Sequence, residues 1–249
     1  MLELHQLLPE AAEVEVGDLV GDAIERTTPP DERPHVIVNF VVSADGHATV
    51  DGRSSALGDE GDAAIFHTLR EHVDAILAGT GTLRTERYGR MLGKAERRER
   101  RTARGQSPEP LAVVITRSGT IPTDIPLFAE PEANVVVFAP SGTEVADTPA
   151  QVTVVALDPE EHTLTTALRR LRSDFGVKRL LCEGGPTLFG SLLHEQLVDE
   201  LFLTLAPKLV GGGYGPAVTA GPPLPEPRPL QPVWLLEHGD SLYLRYAVG

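Results

Sequence analysis

The chain has 249 residues, a formal net charge of −14 and 41% hydrophobic content, which suits one large α/β domain or two small ones with a real core. No apolar run approaches the roughly 18 to 20 residues of a membrane span, and the N-terminus lacks a positively charged start with an apolar core. The acidity repels nucleic acid and anionic membrane surfaces. The single cysteine, Cys182, excludes an internal disulfide and a multi-cysteine metal site, so a cytoplasmic protein with no metal is expected.

In chain order, residues 1–33 read as an acidic N-terminal arm closed by the linker-like TTPPDERP, leaving 34–249 as the folded domain. Val36 to Val42, an apolar run broken only by Asn39, predicts a central strand. A turn at Asp45 and Gly46 and a loop with Ser54 and Ser55 follow. Asp59 to His72 predicts a helix with Ala63, Ile65, Phe66 and Leu69 as its apolar set. Ala75 to Ala78 is a short buried strand running into Gly79-Thr80-Gly81-Thr82.

Arg84 to Arg104 then holds nine of the 22 basic residues and three acids; from Lys94 onward it reads as a solvated, partly mobile loop or helix. Its front end, Arg84, Arg87 and Arg90, would offer a phosphorylated ligand a local positive field. Strands are predicted at Leu111 to Thr116, Val135 to Phe138, Val152 to Ala156 and Leu180 to Cys182, with a helix over Leu164 to Phe175. Val198 to Leu205 is strand-like, Val233 to Leu236 and Leu242 to Tyr246 form a hairpin, and the seven prolines of Pro216 to Pro232 exclude regular structure between them. Strands alternating with helices, then a strand-rich C-terminus, predict an α/β fold with a mostly parallel sheet and antiparallel strands at one edge.

LLCEGGPTLFGSLL, Leu180 to Leu193, carries the most chemistry. Glu183 ends a strand, and Gly184-Gly185 leads into a helix opening at Pro186 and Thr187. Glycines let a backbone approach a phosphate, and the free N–H groups of a helix start point at it. Many α/β proteins also use glycine there simply to turn the chain. Two more phosphate-friendly turns are Gly79 to Thr82 and Thr116-Arg117-Ser118. A Walker lysine motif, G-x-S-x-G and H-E-x-x-H are all lacking. A binder of a phosphorylated cofactor remains, with Asn39, Ser43, Asp45, Ser55, Asp62, Arg70 and Glu183 as polar pocket groups.

Asn39 with VVSADG, HTLREHVDAILAGTGTLRTE, VVITRSG, LCEGGPTLFGSLLHEQLVDEL and APKLVGG, in that order, resemble the riboflavin-biosynthesis pyrimidine reductases of the dihydrofolate reductase-like superfamily. The resemblance covers most of 34–249. It implies a three-layer α/β/α fold with a mostly parallel central sheet and antiparallel C-terminal strands, and a homodimer. The implied reaction is NADPH-dependent reduction of a phosphoribosylamino-pyrimidine, such as 5-amino-6-(5-phosphoribosylamino)uracil, to its ribitylamino form. A relative shifted toward pterins or folates and a module that binds NADPH without turnover are the alternatives.

Matched by position, Thr82 and the run Gly185, Pro186, Thr187, Leu188, Phe189, Gly190 and Ser191 correspond to segments that hold NADPH, with Leu57 and Glu86 as weaker matches. Gly79, Thr80 and Gly184 belong to the same turns, and Thr116, Arg117 and Ser118 stand where the adenosine end is received. Asn39, Ser43, Ser55, Arg70 and Glu183 are the substrate candidates, with Arg70 for the phosphate, or merely complementing its helix dipole, and Glu183 for ribose hydroxyls or ring nitrogens. Asp45 and Asp62 are the carboxylates expected near the heterocycle, unless Asp45 caps its own turn and Asp62 merely favours a helix N-terminus. The chain departs from the family where Thr85-Glu86-Arg87-Tyr88-Gly89 replaces the usual Asp-Asp-Pro continuation, and it lacks the H-x-E and P-C-x-x-C of a zinc deaminase half.

Overall fold

The computed structural model describes residues 2–158, 160, 163–212 and 217–249. In order the elements are β1 (Glu3–Leu8), β2 (Ala12–Glu15), α1 (Val16–Glu25), β3 (His35–Ser43), α2 (Glu60–His72), β4 (Ala75–Gly79), α3 (Thr80–Glu86), α4 (Ala95–Ala103) and β5 (Leu111–Ile115). They continue with α5 (Pro126–Ala129), β6 (Asn134–Pro140), β7 (Gln151–Leu157), α6 (Leu164–Phe175), β8 (Arg179–Cys182), α7 (Pro186–His194), β9 (Glu200–Ala206), β10 (Leu230–His238) and β11 (Ser241–Val248). The chain divides into two compact units. The first comprises Met1–Thr28, Val36–Leu69 and Pro186–Gly249, and the second Pro29–His35 and Arg70–Gly185.

In the first unit β2, β1, β10, β11 and β9 pair antiparallel in that order, and β9 pairs parallel with β3. The N-terminal segment is therefore not a free arm. β1 lies along β10, with His5 opposite Glu237, and α1 buries Val16, Val20 and Ile24. The stripe at i, i+4 and i+8 is the apolar face of an amphipathic helix, and the Glu15 carboxylate caps it by accepting the Asp18 N–H at 2.7 Å. Among the described residues of this segment, the longest stretch without regular structure is the linker-like 27–34.

The proline-rich stretch is less irregular than its composition predicts, because β10 already begins at Leu230 and pairs Pro232 with Tyr246 of β11. Pairing of β10 with β1 extends only to Leu235, so Pro232 sits where a missing donor breaks no ladder on that side. Pro216 lies outside the described residues.

The second unit is built on β8, β4, β5, β6 and β7, all parallel neighbours in that order. β4, β5, β6 and β8 are almost wholly buried along their length, which explains their unbroken apolar runs. The basic segment, expected to be a solvated loop or helix, is a helix exposed at most positions and docked through one buried position. In α4 Arg101 is 1% exposed and donates to the carbonyls of Glu71, Val73 and Ser107, satisfying acceptors at the C-terminus of α2. Burial pushes its pKa down to about 10, with Asp74 working in the opposite direction. Arg97, Arg100 and Arg104 converge on the buried Glu71 carboxylate.

Candidate active site

In the second unit β8, β4 and β5 run side by side in the same direction, with Leu77 opposite Cys182 and Gly79 opposite Ile115. Their carboxyl ends therefore lie together, the usual ligand position in a parallel α/β sheet. The chain leaves β4 into α3, β5 into Thr116-Arg117-Ser118, and β8 into Glu183-Gly184-Gly185. All three turns singled out from sequence thus share one end of this sheet. Gly79 to Thr82 differs from expectation in being the start of a helix: Gly79 is the N-cap of α3 with an ordinary φ of −75°.

Gly185 has φ +23°, and a Cβ built on it would lie 3.1 Å from the Thr82 hydroxyl oxygen. A side chain would fill the space beside Thr82 just where α7 begins, so the absent Cβ leaves a cradle suited to a pyrophosphate. Thr116 is buried, and its hydroxyl donates to the Thr120 carbonyl at 3.3 Å, whereas Arg117 and Ser118 are exposed. Glu86 is half-buried at the last position of α3. Arg90, expected to add to a positive field, is bound by Glu130 at 2.9 Å and Glu132 at 2.7 Å.

Arg70 and Glu183 were expected to act as separate ligands, and they are held by each other. Arg70 donates from Nε and Nη2 to the two carboxylate oxygens of Glu183 at 2.7 and 2.6 Å, and from Nη1 to the Met91 carbonyl at 3.0 Å. Burial alone would lower the Arg70 pKa, but the Glu183 charge and bonds outweigh it and keep the guanidinium charged. Tyr88, which sequence reasoning did not single out, donates its hydroxyl to Glu183 at 2.6 Å. Burial and the neighbouring carboxylate push its pKa well up, so the phenol remains a donor.

In the first unit Asp62 is the carboxylate with unusual chemistry. Burial raises its pKa, an effect opposed by the Thr204 hydroxyl and reinforced by the charge of Asp59. Thr204, on β9, donates to Asp62 at 2.6 Å, and Tyr243, on β11, donates to Asp59 at 2.8 Å. Asp59 in turn accepts the Asp62 N–H at 2.9 Å. A carboxyl in this setting tends to retain a proton.

Asp45 is its opposite. The Ser43 hydroxyl at 2.5 Å and the Gly211 N–H at 2.8 Å hold its carboxyl below the usual range. The carboxylate thus holds the Val210–Gly211 loop, while its own turn is capped by Ser43, whose hydroxyl accepts the His47 N–H.

The remaining expected residues divide by exposure. Asn39 is half-buried on β3 opposite Phe202 of β9, and Ser55 is exposed. Leu57 is 1% exposed and packs with Val41 and Ala206. In α7 Phe189 stacks on Phe40 at 5.4 Å, and a Cβ on Gly190 would lie 2.3 Å from the Ala220 carbonyl oxygen. These two side-chain positions are accounted for by packing. Thr187 is exposed, Pro186 and Leu188 are half-buried, and Ser191 donates to the Thr187 carbonyl at 3.0 Å.

Parallel strands whose carboxyl ends meet at glycine turns define an α/β protein with the usual ligand position of that class at this end of the sheet. The family model described as the RibD C-terminal domain matches residues 34–238, and the chain belongs to that family. It is 35% identical over 191 residues to the 2,5-diamino-6-ribosylamino-4(3H)-pyrimidinone 5′-phosphate reductase of Archaeoglobus fulgidus, spanning 76% of this chain and 87% of the relative. With the enzyme of that name from Methanothermobacter thermautotrophicus it shares 31% over 183 residues, 72% of this chain and 81% of the relative. These relatives are reductases of riboflavin biosynthesis, and such reductases use a nicotinamide cofactor.

Among solved structures, a pyrimidine reductase-like protein from Corynebacterium diphtheriae superposes with a TM-score of 0.76 at 23% identity, covering 95% of this chain and 99% of its own. The fold is therefore the dihydrofolate reductase-like α/β fold expected from sequence, with its mostly parallel central sheet and antiparallel strands. No helix among the described residues is long and apolar enough to cross a membrane.

Proposed function

We propose that the chain is an NADPH-dependent reductase of 2,5-diamino-6-ribosylamino-4(3H)-pyrimidinone 5′-phosphate, the substrate named for its relatives. The observation that carries the reading is the convergence of three turns at the carboxyl ends of β8, β4 and β5, with Gly185 open beside Thr82. Gly184, Gly185 and the first N–H groups of α7 would hold the cofactor pyrophosphate, with Thr82 beside it. Thr116, Arg117 and Ser118 would receive the adenosine end, where the exposed Arg117 favours a 2′-phosphate. The bound nicotinamide supplies a hydride.

The chain's own residues then orient the acceptor and handle the proton. In the second unit Glu183, fixed by Arg70 and Tyr88, accepts a hydrogen bond from the sugar or ring; Asn39 and Ser55 are the polar substrate candidates of the first unit. In the first unit Asp62, whose pKa is raised first by burial, is the candidate donor of the proton that accompanies hydride addition. Asp45 and Ser43 keep the loop at Val210 and Gly211 in place.

A second reading, the 5-amino-6-(5-phosphoribosylamino)uracil substrate that the sequence resemblance implies, is kept open by relatives named riboflavin biosynthesis protein RibD, such as that of Aquifex aeolicus, 25% identical over 216 residues. Consumption of NADPH by the purified protein with each pyrimidine, and with dihydrofolate, separates the substrates. Turnover of none of them, with NADPH still bound, identifies a sensor instead. The NADPH assignment also requires unequal affinities, because a 2′-phosphate gains charge-assisted hydrogen bonds of about 1.5 to 3 kcal/mol. Equal dissociation constants for NADPH and NADH would sink it. A cytoplasmic homodimer completes the proposal, to be checked by cell fractionation and by light scattering at micromolar concentration.

A further inference from the structure

Three hydrogen bonds reach the Glu183 carboxylate, and their distribution is uneven. Oε1 accepts from Arg70 Nε, while Oε2 accepts from both Arg70 Nη2 and the Tyr88 hydroxyl. A carboxylate oxygen has about two acceptor positions. Oε2 is thereby filled, and Oε1 keeps one. Because the Glu183 side chain is only 2% exposed, bulk water has little access to that last position.

Tyr88 is delivered to this place by local backbone geometry. Arg87 ends α3 in the left-handed region, at φ 47° and ψ 58°, a conformation a non-glycine residue adopts only where its surroundings impose it. The Tyr88 carbonyl is then tied down by the Leu127 N–H at 2.8 Å, and its ring lies 5.3 Å from the Arg70 guanidinium carbon, so guanidinium and phenol brace each other. Tyr88 lies outside the sequence blocks that carry the family resemblance.

We infer, on the basis of the reductase reading above, that Tyr88 is a positioning residue acting through Glu183. By filling Oε2 it leaves the carboxylate a single acceptor position, on Oε1, and so restricts Glu183 to one O–H or N–H donor of the substrate. Arg70 supports the same arrangement from the other side, holding Glu183 in place of a direct contact with the substrate phosphate.

Tyr88→Phe tests this, since it removes only the hydroxyl and keeps the ring against Arg70. It should raise the KM for the pyrimidine phosphate about tenfold, as expected for losing one hydrogen bond to a charged group, with the NADPH dissociation constant and kcat changed less than about twofold. Calorimetric titration of the same pyrimidine into protein without cofactor should weaken by the same factor. In a Glu183→Gln background the further change Tyr88→Phe should have less than about a twofold effect on kcat/KM, because the partner through which it acts has been altered. A Tyr88→Phe protein with a lower melting temperature and unchanged KM, or effects that simply multiply in the double variant, would overturn the inference while leaving the reductase reading intact. Wild-type protein that consumes no NADPH with either pyrimidine would overturn the reductase reading and this inference with it.

Discussion

Asp62 and Gly185 show how single residues here trade stability against function. The pKa of Asp62 is raised in the folded state, first by burial, so its favourable contribution is full below its unfolded value of about 3.8 and is lost as pH rises through the folded value. Ionising this carboxyl at neutral pH is then a cost to the fold. Asp62→Asn should melt higher than wild type at pH 7, with the gap closing toward pH 4. It should also lose roughly a hundredfold in single-turnover rate, the scale of a general acid. A variant that melts lower at pH 7, or retains the full rate, would show that Asp62 is an ordinary helix-start carboxylate.

For Gly185 the conflict is steric: a Cβ would lie 3.1 Å from the Thr82 hydroxyl oxygen at φ +23°, and valine adds two methyl groups there. Gly185→Val should abolish NADPH binding in calorimetry while circular dichroism remains that of a folded protein. Normal binding would place the pyrophosphate elsewhere.

At the scale of elements, α4 is attached to α2 through charge. The Glu71 carboxylate is 4% exposed and meets three guanidinium groups. Burial would raise its pKa, but the arginines win and lower it. Its contribution is therefore present above its unfolded pKa and is lost as pH falls through the lower folded value. Glu71→Gln should cost about 2 kcal/mol at pH 7, below the usual loss for a fully buried pair because Arg100 is half exposed, and the difference from wild type should vanish in strong acid. Urea titrations at the two pH values measure it.

This docking was illegible in the sequence because a run of arginines looks alike whether it faces water or a distant buried glutamate. The pairing of Arg70 with Glu183, 113 residues apart, was hidden for the same reason. α6 was legible to the residue because Thr163 caps it, accepting the Thr166 N–H, Gly176 ends it in the left-handed region, and Leu164, Leu168 and Leu171 mark its buried face. β1 and β2 escaped notice because ELHQLL and AEVE are short and carry no clean apolar alternation, and β2, paired only with β1, has two glutamates in four residues, a charge density that blunts an edge and also erases the apolar signature of a strand. The cofactor turns were readable from local glycine chemistry. Their assembly at one end of β8, β4 and β5 required the strand order.

For the molecule as a whole, the N-terminal 28 residues belong to the first unit and supply Leu4, Val16, Val20 and Ile24, each no more than 1% exposed, to its core. Deleting residues 1–28 should uncover the edge of β10 and produce soluble aggregates in size-exclusion chromatography, where the intact chain gives one defined species. A truncated protein that stays dispersed and keeps the wild-type melting temperature would show the segment to be dispensable.

The same pairing sets a timetable for synthesis. His5 meets Glu237 across 237 − 5 = 232 positions of chain, and at roughly 5 to 20 residues per second that interval is roughly ten to forty-five seconds on the ribosome. Arg70–Gly185 can emerge as one uninterrupted stretch and begin folding while translation continues, whereas β1 waits for β10, which leaves the ribosome near the end. Stalled nascent chains ending before Leu230 should accordingly be cut by protease within their first 28 residues, and released full-length chains should resist. β1, made long before its partner, is seated late.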